Sequence, residues 1–191
     1  MRIQIGKVTI GDDVPVVVIP EGCDNHHGKL DEAKALALSA KEAGAEIIKF
    51  QLHLPDEEMH RRGMAETSSK MFAKWGDLYG FIKQNQLSVE DHQKLIEYCK
   101  EIDIQYFCTP FSLRAAQILR EIGGDAAFKI GSGETEDLPM IEEVAAMGRP
   151  MVPTDHPDPT RYDPASRKGA GSLSSPSNAS QNSRLSLSGD H

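Results

Sequence analysis

With 191 residues, 39% hydrophobic and 26% charged, the chain has room for one domain with a sizeable core. It falls short of the roughly 200–250 residues of a complete eight-stranded β/α barrel. The formal net charge of −8 argues against nucleic acid as the main partner, and no apolar run approaches the ~18 residues of a membrane span. Three cysteines, Cys23, Cys99 and Cys108, are odd in number and form no C-x-x-C pair, which fits a reducing, cytoplasmic compartment better than a disulfide framework or zinc ribbon.

In chain order, "MRIQIGKVTIGDD" alternates like a strand and hairpin rather than like a signal peptide. "VPVVVIP", residues 14 to 20, reads as a buried strand. The stretch "LDEAKALALSAKEAG" sets Leu30, Ala33, Ala37 and Ala40 at helical spacing before Gly44, and "AEIIKFQ" is the next strand. The polar stretch from residue 52 to 80 is too long for an ordinary connection and is expected to be a working loop. Ser88 with Asp91 predicts a capped helix through Leu95, Tyr98 and Cys99, followed by a third strand, "IQYFCTP". Ser112 suits the cap of a helix carrying Leu113, Ala116 and Leu119, "AAFKIGSG" is a fourth strand, Pro139 suits a helix's first turn, and "RPMVP" begins a fifth strand. Strand and helix alternating at this rhythm predict βαβ units and a parallel sheet.

From Pro153 the composition changes to Ser, Pro, Gly and Asn with few apolar residues. Such a segment cannot bury enough surface to offset its ordering entropy. The expected organisation is α/β, an incomplete (β/α)8 TIM-type barrel of the first four to five strands over residues 1–152, then a disordered tail over 153–191.

Reactive residues of such barrels stand at the C-terminal ends of strands. Those ends carry Glu21 with Asn25 and His26, Lys49 with Gln51, Thr109, and Lys129 with Ser132 and Glu134. Two lysines beside hydroxyls suit an anion such as phosphate or carboxylate, and two carboxylates offer proton transfer or hydroxyl positioning. Glu21 or Asn25 could instead cap the next helix, and "GSG" at 131 to 133 could be only a tight turn. A lysine within an otherwise apolar strand is costly unless it snorkels out or meets an anion. Cys23 with His26 and His27 matches no standard zinc spacing.

The segments "PEGCDNHHGKLDEAKALALSAKEAGAEIIKFQ", "LSVEDHQKLIEYCKEIDIQYFCTPFS" and "FKIGSGETEDLPMIEEVAAMGRPM" resemble, in order and spacing, the N-terminal barrel of the sialic acid (N-acetylneuraminate) synthase family. The family's first motif is usually Glu-x-Gly-x-Asn-His-x-Gly; Glu21, Asn25, His26 and Gly28 match it, while Cys23 replaces a glycine. The resemblance implies condensation of phosphoenolpyruvate with an N-acetylated hexose such as N-acetylmannosamine, giving a nine-carbon 2-keto sugar acid. It implies that Lys49, Thr109, Lys129 and Ser132 grip phosphoenolpyruvate, that Asn25, His26 and Gln51 contact substrate, and that Glu21 and Glu134 are catalytic, orienting the sugar and managing protons. It further implies a divalent metal, manganese or magnesium, and homodimeric full-length relatives. The segment after "RPM" lacks the family's Ser-Thr-Gly-like turn. The later strands with their two metal-binding histidines, and the C-terminal antifreeze-like domain, have no counterpart, so the expectation is a truncated or frame-altered member without metal ligands of its own. The alternatives are a non-catalytic fragment, or a related synthase of a legionaminate, pseudaminate or spore-coat pathway with another acceptor.

Overall fold

A computed structural model describes residues 2–60 and 70–154. The chain opens with an antiparallel hairpin of β1 (Arg2–Ile5) and β2 (Val8–Gly11), in which Ile5 pairs with Val8 across the two-residue loop Gly6-Lys7. That tight primed turn needs a left-handed first residue, and Gly6 supplies it at φ +58°.

Residues 14 to 20 correct one expectation. They run beside β3 (Ile47–Leu52) but join it only through a parallel bridge of Glu21 to Lys49, with Lys49 N–H donating to the Pro20 carbonyl (2.9 Å) and Gly22 N–H to the Lys49 carbonyl (2.7 Å). The next rung would require an N–H on residue 20, and proline has none. Val17 and Ile19 pack inward, whereas Val16 and Val18 are 92% and 69% exposed, so the segment is not a buried strand.

The main sheet has four parallel strands in the order β3, β4 (Gln105–Pro110), β5 (Phe128–Ile130) and β6 (Met151–Pro153). The helices between them follow the caps written in the sequence. In α1 (Leu30–Glu42), Ala33, Ala37 and Ala40 form the buried stripe. The long polar stretch is more structured than a loop: it holds α2 (Pro55–Glu58), a 3-10 turn (Lys70–Trp75) and the start of α3 (Leu78–Asn85), while 61 to 69 lie outside the described residues. Asp77 caps α3 by accepting from Gly80 N–H at 2.7 Å, and Tyr79 and Ile82 are buried at helical spacing. Ser88 caps α4 (Val89–Glu101) by accepting from Asp91 N–H, and Ser112 caps α5 (Leu113–Glu121) by accepting from Ala115 N–H. Asp137 accepts from Met140 N–H at the start of α6 (Leu138–Ala146), with Pro139 in its first turn.

Alternation along the strands then builds two layers. Ile48, Phe50, Leu52, Tyr106, Cys108, Phe128 and Ile130 form the main core with the inner stripes of the helices. The opposite face is apolar only at the strand starts, where Ile47, Phe107 and Ala127 pack under Ile5 and Val8 of the hairpin. Each of the fully buried Phe50, Phe107 and Phe128 contributes about 1.5–3 kcal/mol of transfer free energy. No described helix is long and apolar enough to cross a membrane. The expected disordered tail lies, from residue 155 onward, outside the described residues.

Candidate functional site

On the face closed at the bottom by the hairpin, the same alternation places Lys49 and Gln51 above Ile47, Thr109 above Phe107 and Lys129 above Ala127. These side chains open into a cleft of about 330 Å³, walled also by Glu21, Phe111, Gly131, Ser132, Gly133, Glu134 and Thr154. The Glu21 to Lys49 bridge fixes the backbone beside Lys49, and the side chains complete the link. Lys49 Nζ lies 2.7 Å from Glu21 Oε2 and donates to Thr109 Oγ1 at 3.1 Å. Lys49 is only 9% exposed, so this carboxylate and hydroxyl stand in for water around a buried ammonium. Glu21 Oε1 accepts from Cys23 N–H at 3.1 Å, which holds the carboxylate at the rim.

Lys129 approaches from the next strand but one. Its Nζ donates to the Ile130 carbonyl at 2.6 Å and to Thr154 Oγ1. Burial, and then the charge of Lys49, push its ammonium below the ordinary lysine range, while Glu21 and Glu134 pull weakly the other way. Burial likewise pushes the Glu134 carboxyl above the ordinary carboxylate range, and its Oε2 is enclosed without a hydrogen-bond partner. Gly131 makes the room for that oxygen, since a Cβ there would stand 2.1 Å from it. A neighbouring cleft of about 470 Å³ shares Phe111, Gly133 and Glu134 and is flanked by Glu58, Asp137 and Arg114.

Seven of the nine residues expected from sequence therefore line one cleft: Glu21, Lys49, Gln51, Thr109, Lys129, Ser132 and Glu134. Asn25 and His26 do not. Between Gly22 and Lys29 the chain turns on successive short bonds, Asn25 N–H to the Gly22 carbonyl (3.1 Å), His27 N–H to Asp24 (2.9 Å) and Lys29 N–H to His26 (2.9 Å). Cys23 holds φ +44° in that turn, the left-handed region which a glycine adopts freely, so the departure from the motif falls where backbone geometry favours glycine. The result exposes Asn25 and rolls His26 against Phe50 on the helix side of the sheet, ring centroids 6.2 Å apart. His26 is 1% exposed, its Nδ1 accepts from Gly28 N–H, and burial lowers it to about 4.

Sequence reasoning missed Thr154, His53 and Glu58. Thr154 continues the alternation after Val152, its N–H donating to the Ile130 carbonyl at 2.9 Å, but it sits where composition predicts a tail. His53 and Glu58 are carried by the end of β3 and by α2, inside the polar stretch expected to be a loop. Among the described residues no three His, Cys, Asp or Glu side chains converge on a point that could hold a metal ion. The described cleft alone therefore does not fit a divalent metal.

Parallel βα units with cations and carboxylates gathered at the strand ends have the layout of part of a β/α barrel. Residues 36–154 match the NeuB family, and the chain belongs to it. It is 34% identical over 150 residues to the spore coat polysaccharide biosynthesis protein SpsE of Bacillus subtilis, an alignment covering 78% of this chain and 39% of that protein. It is 33% identical over 144 residues to the N-acetylneuraminate-9-phosphate synthase of Homo sapiens, covering 75% and 40%. The crystal structure of the N-acetylneuraminic acid (sialic acid) synthetase of Leptospira borgpetersenii serovar Hardjo-bovis, in complex with citrate, superposes with a TM-score of 0.66 at 26% identity, over 80% of this chain and 49% of that one. The chain thus spans about 40% of the length of the curated relatives it matches, and its four parallel strands form part of a TIM-type barrel.

Proposed function

We propose that the cleft binds phosphoenolpyruvate between Lys49 and Lys129 and serves a synthase that joins it to an N-acetylated hexose of the N-acetylmannosamine type. The reaction forms a bond from the enol carbon to the sugar aldehyde carbon; water supplies the new oxygen at the phosphate-bearing carbon, and inorganic phosphate leaves. The observation that carries this reading is two ammonium groups facing one cleft, of which Lys49 is paired with Glu21 at 2.7 Å and Lys129 has no carboxylate in salt-bridge contact among the described residues. Each ammonium disfavours the other, so a bound dianion relieves repulsion as well as gaining charge-assisted bonds. Thr109 and Ser132 add hydroxyl donors beside the lysines. Glu134, biased towards its protonated form by burial, suits a proton donor or a hydroxyl-orienting group towards the acceptor. Glu21 keeps Lys49 pointed into the cleft. A divalent metal, a homodimeric assembly and a cytoplasmic location belong to this same reading. The similarity to SpsE supports a second reading, in which the acceptor is a sugar of a coat polysaccharide.

The test is calorimetric titration of phosphoenolpyruvate into the 191-residue chain. Losing one charge-assisted contact costs about 1.5–3 kcal/mol, so Lys129→Met should weaken binding by about tenfold or more. Equal affinity in the two proteins removes Lys129 from the site.

A further inference from the structure

Behind the cleft wall lies a second set of polar side chains that the proposed chemistry does not use. Cys23 Sγ–H donates to Gln51 Oε1 at 2.9 Å, and His53 Nε2 lies 3.3 Å from that same oxygen. The thiol is available as a donor because burial raises its pKa above the ordinary value. His53 Nδ1 lies 2.8 Å from Glu58 Oε1, and both side chains are only 4% exposed. The imidazole also stacks on Phe111, centroids 4.1 Å apart and planes 17° apart, which removes its rotational freedom. The Gln51 oxygen accepts from the Cys23 thiol, and the His53 tautomer that carries its proton on Nε2 gives the same oxygen a second donor.

This arrangement follows from local sequence. His53 stands just past the last residue of β3, and Pro55 opens a single helical turn that brings Glu58 back onto it. The Gln51 carbonyl oxygen thus takes two donors from behind, while its amide nitrogen has no protein partner among the described residues and Gln51 lines the cleft. Gln51 is two residues beyond Lys49 along the strand, about 6.7 Å nearer the rim. It therefore stands outside the lysines that grip the anion, on the side from which a second ligand meets it.

We propose that His53, backed by Glu58 and helped by Cys23, is a positioning residue that pins the Gln51 carboxamide so that its NH₂ is presented to an oxygen of the acceptor sugar. The inference rests on the reading of the cleft as a condensation site. It adds to that reading a specificity device, because a pinned amide offers donors only and so selects for an acceptor oxygen at that point.

The experiment is a double-mutant cycle in the full chain, reading N-acetylmannosamine affinity in the presence of saturating phosphoenolpyruvate. Gln51→Ala and His53→Ala should each weaken sugar binding about tenfold, and the double variant should be no worse than either single, because one acts only through the other. His53→Gln, which can still donate to Gln51, should stay within about threefold of the parent. Multiplying effects, or His53→Ala within twofold of the parent, overturn the proposal. Phosphoenolpyruvate affinity should be unchanged in His53→Ala and His53→Gln, and a parent chain that binds no phosphoenolpyruvate refutes the condensation reading by itself. In that event the ¹⁵N-labelled Gln51 side-chain amide still decides the pinning. Its protons should exchange slowly in the parent and faster in His53→Ala, and equal exchange in both sinks it.

Discussion

Acidification should destabilise this chain through two imidazoles that its cleft does not use. His26 and His92 are each 1% exposed, and burial lowers them from 6.5 to about 4 and about 3. His92 is further committed to Tyr106, whose hydroxyl lies 2.9 Å from its Nδ1. Below pH 6.5 the unfolded chain takes up both protons, whereas the folded chain takes up neither until its own lowered values are reached. The unfolded state binds more protons across that window, so stability falls as pH falls, by nearly two protons or about 2.5 kcal/mol per pH unit around pH 5. Taken over the whole window the cost is about 3 kcal/mol for His26 and about 5 kcal/mol for His92, since each tenfold loss of proton affinity on folding is worth ~1.4 kcal/mol. Asp24 and Glu134, raised by burial, hold protons in the folded state and offset part of this above the ordinary carboxylate range. The remainder is still comparable with the 5–15 kcal/mol that holds a typical domain together. Urea unfolding followed by circular dichroism at pH 7, 6, 5 and 4 should show the midpoint falling steeply, and His26→Gln should remove about one proton from the slope. A midpoint flat from pH 7 to 5, or a His26 resonance titrating near 6.5 and moving with phosphoenolpyruvate, would refute the reasoning and return His26 to the cleft.

Other outcomes follow from the close contacts. Gly22→Ala would set a Cβ 2.5 Å from the buried ring of Phe50 and should cost about 1–3 kcal/mol in urea unfolding. Gly131→Ala crowds the end of the Glu134 side chain and makes only an ordinary contact with Phe111, 3.7 Å away. It should leave the urea midpoint nearly unchanged while moving the Glu134 carboxyl back towards 4.5, readable by ¹³C titration. Because Lys129 is depressed, phosphoenolpyruvate affinity should hold while its ammonium is protonated and fall as pH rises into a range below the ordinary lysine value. Calorimetry across that range checks this, and an affinity constant up to pH 10.5 contradicts it.

Why so much was legible is clear from β3. Its sequence Ile47-Ile48-Lys49-Phe50-Gln51-Leu52 is apolar apart from Lys49 and Gln51, which share one face in the half of the strand that runs to the rim, so position and chemistry agree. Thr109 and Lys129 repeat this on β4 and β5. Residues 14 to 20 misled because an apolar run reports burial only when backbone partners exist, and Pro20 withholds one. His26 packs against Phe50 away from the described cleft, a placement that motif order leaves open because it does not state which way a turn rolls. Helix α3 was hidden by its polar surroundings, although Asp77 before Leu78, Tyr79 and Ile82 is a cap followed by a helical stripe. The bond between His53 and Glu58 spans five residues and depends on the turn begun at Pro55, a relation that no period of two or 3.6 reveals.

The hairpin at the foot of the sheet has an electrostatic consequence. Ile5, Val8, Ile47, Phe107 and Ala127 lie beneath Lys49 and Lys129 as a low-dielectric plug, so field lines from the two ammonium groups are turned outward through the open rim. A chain of net charge −8 repels a dianion in general, and on the proposed reading of the cleft the two ammonium groups open an axis of approach through the rim. Substituting Ile5 or Val8 with an acidic residue would set a negative charge beneath the two ammonium groups, and the association rate of phosphoenolpyruvate, together with its dependence on salt, would fall without any group that touches the ligand having changed.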